Sequence, residues 1–244
     1  MSDDLRRSSP RAIALSRQTG WQRVEDARYS GGSAAWQDSS RRVLRNTYAL
    51  LGLTLAFSAA VAGTAMALNL PHPGMIFSLI GMFGLLFLVH KTANSGMGLL
   101  SVFAFTGFMG YSLGPLLNAV LAMPHGGAVV TNALGATAVA FIGLSAVALS
   151  TKRDFSMMGK SLMIGMLVAM TLGLGAFFFE IPALSLAVSG MVVLLMCGMI
   201  LFETSRIVNG GETNYILATV GLYMTIYNLF SNLLVLFGVM GSDD

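Results

Sequence analysis

The sequence predicts an all-α, polytopic membrane protein: a bundle of seven transmembrane helices with a flexible amino-terminal tail. Hydrophobic residues make up 55% of the 244 residues and charged residues only 10%, whereas soluble proteins carry about 25% charged residues. So few charges cannot cover the surface of a water-soluble protein, and the mean hydropathy of +0.73 agrees with this. The composition therefore excludes a soluble enzyme and a disordered chain. The single cysteine, Cys197, excludes a disulfide-rich domain.

The basic residues are concentrated at the amino-terminal end. Nine of the fourteen lie before residue 46, and residues 1–40 also contain five acidic residues among serines, glycines and glutamines. Such a segment buries too little apolar surface to offset the entropy lost on ordering, and it lacks the apolar core of a signal peptide. We therefore divide the chain into a flexible charged tail, residues 1–40, and a transmembrane domain, residues 41–244.

From residue 46 onward, apolar stretches alternate with short polar breaks. A helix needs about 20 residues to cross the hydrocarbon core, or fewer when flanking side chains reach the interface. This spacing predicts seven spans, which are 46–68, 73–90, 98–122, 130–150, 161–180, 183–207 and 215–238.

The breaks between these spans contain charged residues or the asparagine, proline and glycine that favour turns. They are 69–74, 94–96, 124–127, 151–160, 180–182 and 209–211. The break at 180–182 is short and lies between two long apolar runs. Irregular backbone cannot face lipid, so we expect each break at a membrane surface.

The distribution of basic residues tests the number of spans. If the tail is cytoplasmic, seven spans place all fourteen basic residues on the cytoplasmic side of the membrane and none on the other side. Merging or splitting helices would break this pattern. We therefore expect the amino terminus in the cytoplasm and the carboxyl terminus, residues 241–244, on the opposite side.

Charged side chains inside a membrane are costly and are candidates for function. Glu203 and Arg206 lie three residues apart near the inner end of the sixth span, so they share a helix face and could pair. In a structural interpretation, Arg206 reaches the membrane surface and Glu203 is its counter-ion. In a functional interpretation, Glu203 faces a polar interior and exchanges a proton there. The sequence leaves both open, because burial and a nearby arginine act in opposite directions on a carboxylate.

Two further groups of residues predict contacts between helices. Asn228 and Asn232 are four residues apart on the seventh span, a spacing typical of interhelical hydrogen bonds. The third span carries small residues on one face and a proline that can kink the helix, namely Gly107, Gly110, Gly114 and Pro115. We interpret both groups as helix-packing residues.

The sequence contains none of the motifs expected of a membrane enzyme. It has no HExxH motif and no Walker loop, and every aspartate lies in a tail or a predicted loop rather than in a span. The three histidines, His72, His90 and His125, lie at span ends or in loops on both sides of the membrane, so a shared metal site is not expected. We therefore expect no enzymatic activity, no cofactor, no resident metal and no nucleic-acid partner.

Several long motifs resemble one known family. Residues 105–118, FTGFMGYSLGPLLN, resemble the signature of the Bax inhibitor family, a seven-helix membrane family, and in particular its bacterial YccA-like branch. Other segments similar to that branch are 43–58, 90–94, 201–205, 210–216 and 227–230. The resemblance begins at about residue 41 and does not cover the tail.

The resemblance implies two alternative functions. Members of the YccA-like branch modulate FtsH, a membrane-anchored protease of the bacterial inner membrane, with the cytoplasmic tail as the handle for degradation. Other members of the family are pH-sensitive calcium leak channels, in which two acids on the sixth and seventh helices share a proton and a basic residue latches to them. The implied partners are thus an FtsH-type protease and the lipid bilayer, or Ca²⁺ and H⁺. A scaffold that binds other membrane proteins is a third possibility.

At the channel site, this sequence departs from the family pattern. Glu203 matches the first acid, and His90 matches the latch position with Lys91 beside it, but Thr225 occupies the position of the second acid. In the family's pair of acids, two close carboxylates cannot both ionise, so they share a proton. A threonine in place of the second acid removes this coupling. We expect Glu203 to hydrogen-bond Thr225, or to pair with His90 if their helices meet.

Overall fold

The structure is a computed structural model, and it describes residues 10–151 and 154–240. In these ranges the chain forms seven α-helices and no β-strand. The helices are α1 (Pro10–Ala67), α2 (Met75–Thr92), α3 (Gly98–Leu121), α4 (Gly126–Ser150), α5 (Met158–Phe178), α6 (Pro182–Val208) and α7 (Tyr215–Met240). A single 3-10 turn, Phe155–Met157, precedes α5. The all-α prediction is confirmed.

Each predicted span corresponds to one helix. Apart from the start of α1, the predicted and observed ends differ by four residues at most, the largest difference being residue 130 against Gly126. The break predicted at 180–182 is present. Glu180 has a positive φ of 51° and Ile181 is extended. Pro182 then begins α6, where its missing N–H has no intrahelical role.

Six of the helices in the described part of the chain are long and apolar enough to cross a membrane. The apolar part of α2, Ile76–Thr92, is shorter than the other six. The chain is therefore a multi-pass membrane protein, while the full count of seven crossings is not confirmed.

The first helix is longer than its membrane-crossing part. The candidate span is Ser39–Ala67, but α1 begins at Pro10. Helix thus includes residues 10–40, for which the sequence predicts a flexible tail, and the predicted flexibility is not confirmed. Residues 1–9 lie outside the described part of the chain.

The centre of the bundle is α7, which packs against α1, α3, α4 and α6 and is the most buried of the six candidate spans. Tyr223 and Phe105 meet there edge to face, with ring centroids 6.0 Å apart. A second group of buried side chains includes Met196, Ile200 and Leu229. In contrast, α2 and α5 lie at the periphery and expose large apolar side chains, as lipid-facing helices do.

The glycines predicted to form a packing face on α3 lie against α1. A Cβ on Gly114 would stand 2.7 Å from the Cβ of Ala65, and one on Gly110 would stand 3.0 Å from the Cα of Ser58. A Cβ on Gly107 would lie 3.0 Å from the ring of Phe57. These glycines therefore allow the close approach of two backbones, as small residues do in membrane helices. Pro115 lies inside α3, which continues to Leu121.

Candidate functional site

The carboxylate of Glu203 lies between α6 and α7. The hydroxyl of Thr225 donates a hydrogen bond to Glu203 Oε2 at 3.1 Å. Gly221 is one turn earlier on the same face of α7, and a Cβ there would stand 2.8 Å from Glu203 Oε1. The absence of a side chain at residue 221 thus gives the carboxylate room, and Thr225 supplies its hydrogen-bond donor. The predicted contact of Glu203 with Thr225 is present.

A small cavity of about 70 Å³ adjoins Glu203 and extends toward the α6–α7 loop. Its lining includes Arg206, Glu212 and Gly221. Arg206 forms an ion pair with Glu212 at 3.2 Å, and its Nε donates to the carbonyl oxygen of Gly211 at 3.2 Å. The charged side chains at this end of the cavity are therefore already paired with each other.

Among the described residues, the ion pair of Arg206 is made with Glu212 and not with Glu203. The pairing of Glu203 with Arg206, which the structural interpretation allowed, is not formed, because the loop turns back on the helix end. Gly210 has a positive φ of 75°, and the N–H groups of Gly211 and Glu212 both donate to the carbonyl oxygen of Arg206. Glu212 is thereby held beside the guanidinium. The side chain of Arg206 is 47% exposed, in keeping with the predicted position at a surface.

His90 and Lys91 are both exposed near the end of α2. His90 Nδ1 lies 2.9 Å from the carbonyl oxygen of Leu86 on its own helix. No ion pair or hydrogen bond within the described ranges joins either residue to Glu203. The pairing of His90 with Glu203, expected only if their helices meet, is not formed, since α2 packs on α3.

The two asparagines of α7 behave differently from the prediction. Asn228 Nδ2 donates to the carbonyl oxygen of Met224, and Asn232 Nδ2 donates to that of Asn228, both at 2.8 Å. Each amide therefore bonds to its own helix, and the predicted interhelical hydrogen bonds are wrong for this pair. An acceptor was available one turn earlier, and the sequence spacing alone does not distinguish it from an acceptor on a neighbouring helix.

Sequence reasoning missed Asn214, which joins two loops and begins α7. Its Oδ1 accepts hydrogen bonds from the N–H of Ile216 and of Leu217, as the cap of a helix does. Its Nδ2 donates to Asn94 Oδ1 at 2.8 Å and to the carbonyl oxygen of Ala93 at 3.1 Å. An asparagine directly before an apolar run was the available signal.

A second missed group joins the start of α5 to the end of α6. Asp154 Oδ1 accepts a hydrogen bond from the N–H of Ser156 at 2.9 Å. Ser205 Oγ accepts hydrogen bonds from the N–H of Phe155 at 3.1 Å and from Asn209 Nδ2 at 3.0 Å. Hydrogen bonds from Ser156 hold the pKa of Asp154 below its ordinary value. These contacts fix the loop that leads into α5.

Comparison with known proteins identifies the family to which this helical bundle belongs. The family model described as "Inhibitor of apoptosis-promoting Bax1" matches residues 40–242. The chain belongs to the Bax inhibitor family. It is 51% identical over 205 residues to "Modulator of FtsH protease YccA" of Escherichia coli K12, covering 84% of this chain and 93% of that protein. It is also 49% identical over 222 residues to an uncharacterized protein of Pseudomonas aeruginosa, covering 91% of this chain and all of that one.

A relative in Escherichia coli O6:H1, also 51% identical over 84% of this chain, is named "Inner membrane protein YccA". The membrane placement and the YccA-like resemblance are thus confirmed for this Bax inhibitor family member.

Within this family member, the carboxylate site offers few ligands for a divalent cation. Ca²⁺ takes 6–8 oxygen ligands, whereas among the described residues the one side-chain hydrogen bond to Glu203 comes from the hydroxyl of Thr225. The carboxylate of Glu212 is held by Arg206 and by the N–H of Asn214. No group of three or more histidine, cysteine, aspartate or glutamate side chains in the described part of the chain could hold a metal ion. The arrangement is suited to a hydrogen-bonded acid rather than to a calcium cage.

Proposed function

We propose that this chain is a non-enzymatic regulator in the bacterial inner membrane that binds an FtsH-type protease and modulates it. The observation that carries the proposal is the 51% identity to the E. coli modulator of FtsH protease, extending over 93% of that protein. The family match, residues 40–242, includes the apolar part of α1 and the helices α2 to α7, so the membrane-facing surfaces of the bundle have counterparts in the family.

The amino-terminal tail, residues 1–40, is the part that an ATP-driven protease would engage. It carries six of the fourteen basic residues, and all but its last two residues lie before the candidate span Ser39–Ala67. The transmembrane domain, residues 41–244, is a packed bundle whose helices resist initiation of unfolding, whereas a charged end outside the bilayer does not. In this arrangement the tail occupies the protease and competes with other substrates.

In-cell crosslinking followed by affinity purification tests the binding step. We expect the FtsH-type protease among the crosslinked partners of the full chain. Recovery of other membrane proteins without the protease would instead support a scaffold that binds neighbours through its small-residue helix faces. In that event the proposed regulator function is wrong.

Removal of residues 2–40 tests the role of the tail. We expect the truncated chain to persist longer than the full chain in cells with the protease, and equally long in cells without it. A matched control replaces residues 2–40 with an uncharged glycine–serine segment of the same length, which separates the effect of sequence from that of length. An unchanged half-life of the truncated chain in the presence of active protease would exclude the tail as the handle.

A second candidate function is an ion leak of the kind known in other members of the family, because Glu203 adjoins a cavity of about 70 Å³. Thr225 lies within hydrogen-bond distance of Glu203, so an acid at residue 225 would restore a pair of carboxylates. The test is calcium flux into dye-loaded vesicles with wild type, Glu203→Gln and Thr225→Asp. Asn228→Asp, which adds an acid to α7 one turn further along, is the control. Absence of leak from both wild type and Thr225→Asp excludes this function.

A further inference from the structure

A second, larger cavity lies between α1, α3, α4 and α7, apart from the carboxylate of Glu203. Its volume is about 380 Å³. The walls are mainly aliphatic and aromatic, with Leu55 from α1, Leu113 from α3, Phe141 from α4 and Phe230 from α7. A space of this size with apolar walls suits an apolar occupant.

Of the four side-chain hydroxyl groups in the wall of this cavity, three form hydrogen bonds within the protein. Ser58 and Tyr223 hydrogen-bond each other at 2.6 Å, and the Tyr223 hydroxyl also lies 3.3 Å from the carbonyl oxygen of Thr106. Thr137 donates to the carbonyl oxygen of Ala133 at 2.7 Å. Buried water needs about three hydrogen-bonding partners. This cavity is therefore better filled by hydrocarbon than by water or by a polar group.

The mouth of the cavity opens to the bilayer. Leu134 and Ile142, two turns apart on α4, line the cavity and are 54% and 67% exposed. Ala59 on α1 also lines it and is exposed. These residues lie inside the candidate spans Gly126–Ser150 and Ser39–Ala67, so the opening is continuous with the lipid-facing surface of the protein.

The position of the opening determines which molecules can reach the cavity. The opening lies within the candidate spans that belong to α1 and α4 and is lined by apolar side chains, so the molecules that meet it are those of the bilayer. A single hydrocarbon chain is slender enough to enter, and the surrounding bilayer supplies it.

We propose that this cavity holds one acyl chain of a bilayer phospholipid, which enters between α1 and α4. The lipid is then an integral part of the bundle, since it fills the space beside Tyr223 and contacts the two helices that form the mouth. This site is separate from the proposed regulation of a protease and does not depend on it.

Filling the cavity with a protein side chain tests the proposal. Ala59 and Ala60 are adjacent exposed alanines on α1, but only Ala59 lines the cavity. The experiment reconstitutes wild type, Ala59→Phe and Ala60→Phe in vesicles of phosphatidylethanolamine and phosphatidylglycerol. Native mass spectrometry then counts the phospholipids that stay bound after extraction in detergent.

We expect one retained phospholipid per chain in wild type and in Ala60→Phe. Retention by Ala59→Phe is expected to fall about tenfold, the factor that corresponds to roughly 1.4 kcal/mol of binding. If Ala59→Phe does not fold, Ala138→Phe fills the cavity from α4 instead. Its control is Val139→Phe, because Val139 is exposed and does not line the cavity. The proposal is overturned if wild type retains no phospholipid, or if the folded filling variants retain as much as wild type.

Discussion

The environment of Glu203 is set by three neighbouring residues rather than by its own helix alone. Thr225 donates to the carboxylate, Gly221 leaves room for it, and Arg206 forms its ion pair with Glu212. The sequence was sufficient to predict the contact with Thr225, because the family resemblance aligns the two positions. It was insufficient for Arg206, because its pairing depends on how the loop turns at Gly210.

Gly221→Ala tests the close contact with Glu203. The added Cβ would stand 2.8 Å from Glu203 Oε1, so the carboxylate must move. Because the atom that must give way is the end of a side chain, we expect a loss of about 1 kcal/mol, at the low end of the range for overpacked sites, measured as a lower unfolding temperature in detergent. Gly190→Ala on α6, where a Cβ meets no atom within 4 Å, is the control and should not destabilise. The double variant Gly221→Ala, Glu203→Ala should recover stability. Equal behaviour of the two glycine variants would contradict the described contact.

At the scale of elements, the packing of α3 on α1 depends on small residues. The glycine spacing on α3 was readable from the sequence, since glycines at residues 110 and 114 are a common signal for close helix approach. Which helix they approach was not readable, because periodicity describes one helix at a time and not its partner. The prediction of interhelical hydrogen bonds for Asn228 and Asn232 was wrong for the same reason, because each amide donates to a carbonyl oxygen of its own helix.

Gly110→Ala and Gly107→Ala should differ in their effects on stability. A Cβ on Gly110 meets the backbone near Ser58, which cannot yield without shifting α1, and we expect a loss of about 1–3 kcal/mol. A Cβ on Gly107 meets only the ring of Phe57, which can rotate aside. Thermal unfolding in detergent measures both variants. If Gly107→Ala were the more destabilised, the α1–α3 contact would not be as described.

Asp154 should make the loop before α5 sensitive to acid. The hydrogen bonds from Ser156 lower the pKa of Asp154, so the charged form is favoured in the folded state. The charged Asp154 therefore stabilises the folded state at pH values above its unfolded pKa, near 3.8. This stabilisation is lost as the pH falls through the lower pKa of the folded state. We expect Asp154→Ala to unfold at a lower temperature than wild type at pH 7, with the difference shrinking below about pH 4. A difference that stays constant with pH would exclude this role.

At the scale of the whole molecule, composition and turn residues were sufficient to predict an all-α membrane protein and the position of every helix. The thickness of the bilayer requires apolar segments of about 20 residues, and such segments can be recognised in a single sequence. The sequence did not predict the part of α1 that precedes Ser39. Residues 10–40 have the composition of a flexible tail, yet they belong to a helix that begins at Pro10. The sequence also did not predict the cavity of about 380 Å³, because its wall is formed by side chains from four different helices.

We predict the orientation of the chain from the distribution of its basic residues and from seven crossings. We expect reporters fused to the amino and carboxyl ends to lie in opposite compartments, with the amino end in the cytoplasm. Measurement of reporter activity in whole cells distinguishes this arrangement from a six-span chain, in which α2 does not cross. Reporters found in the same compartment would support six crossings and would exclude the proposed sidedness.

The regulator function is tested most directly by the rate at which an FtsH-type protease degrades a reference membrane substrate in reconstituted vesicles. We expect addition of the full chain to slow degradation in proportion to its amount, and the chain without residues 2–40 to slow it less. A rate that is unchanged at excess full chain, with the protease otherwise active, would contradict the proposed function.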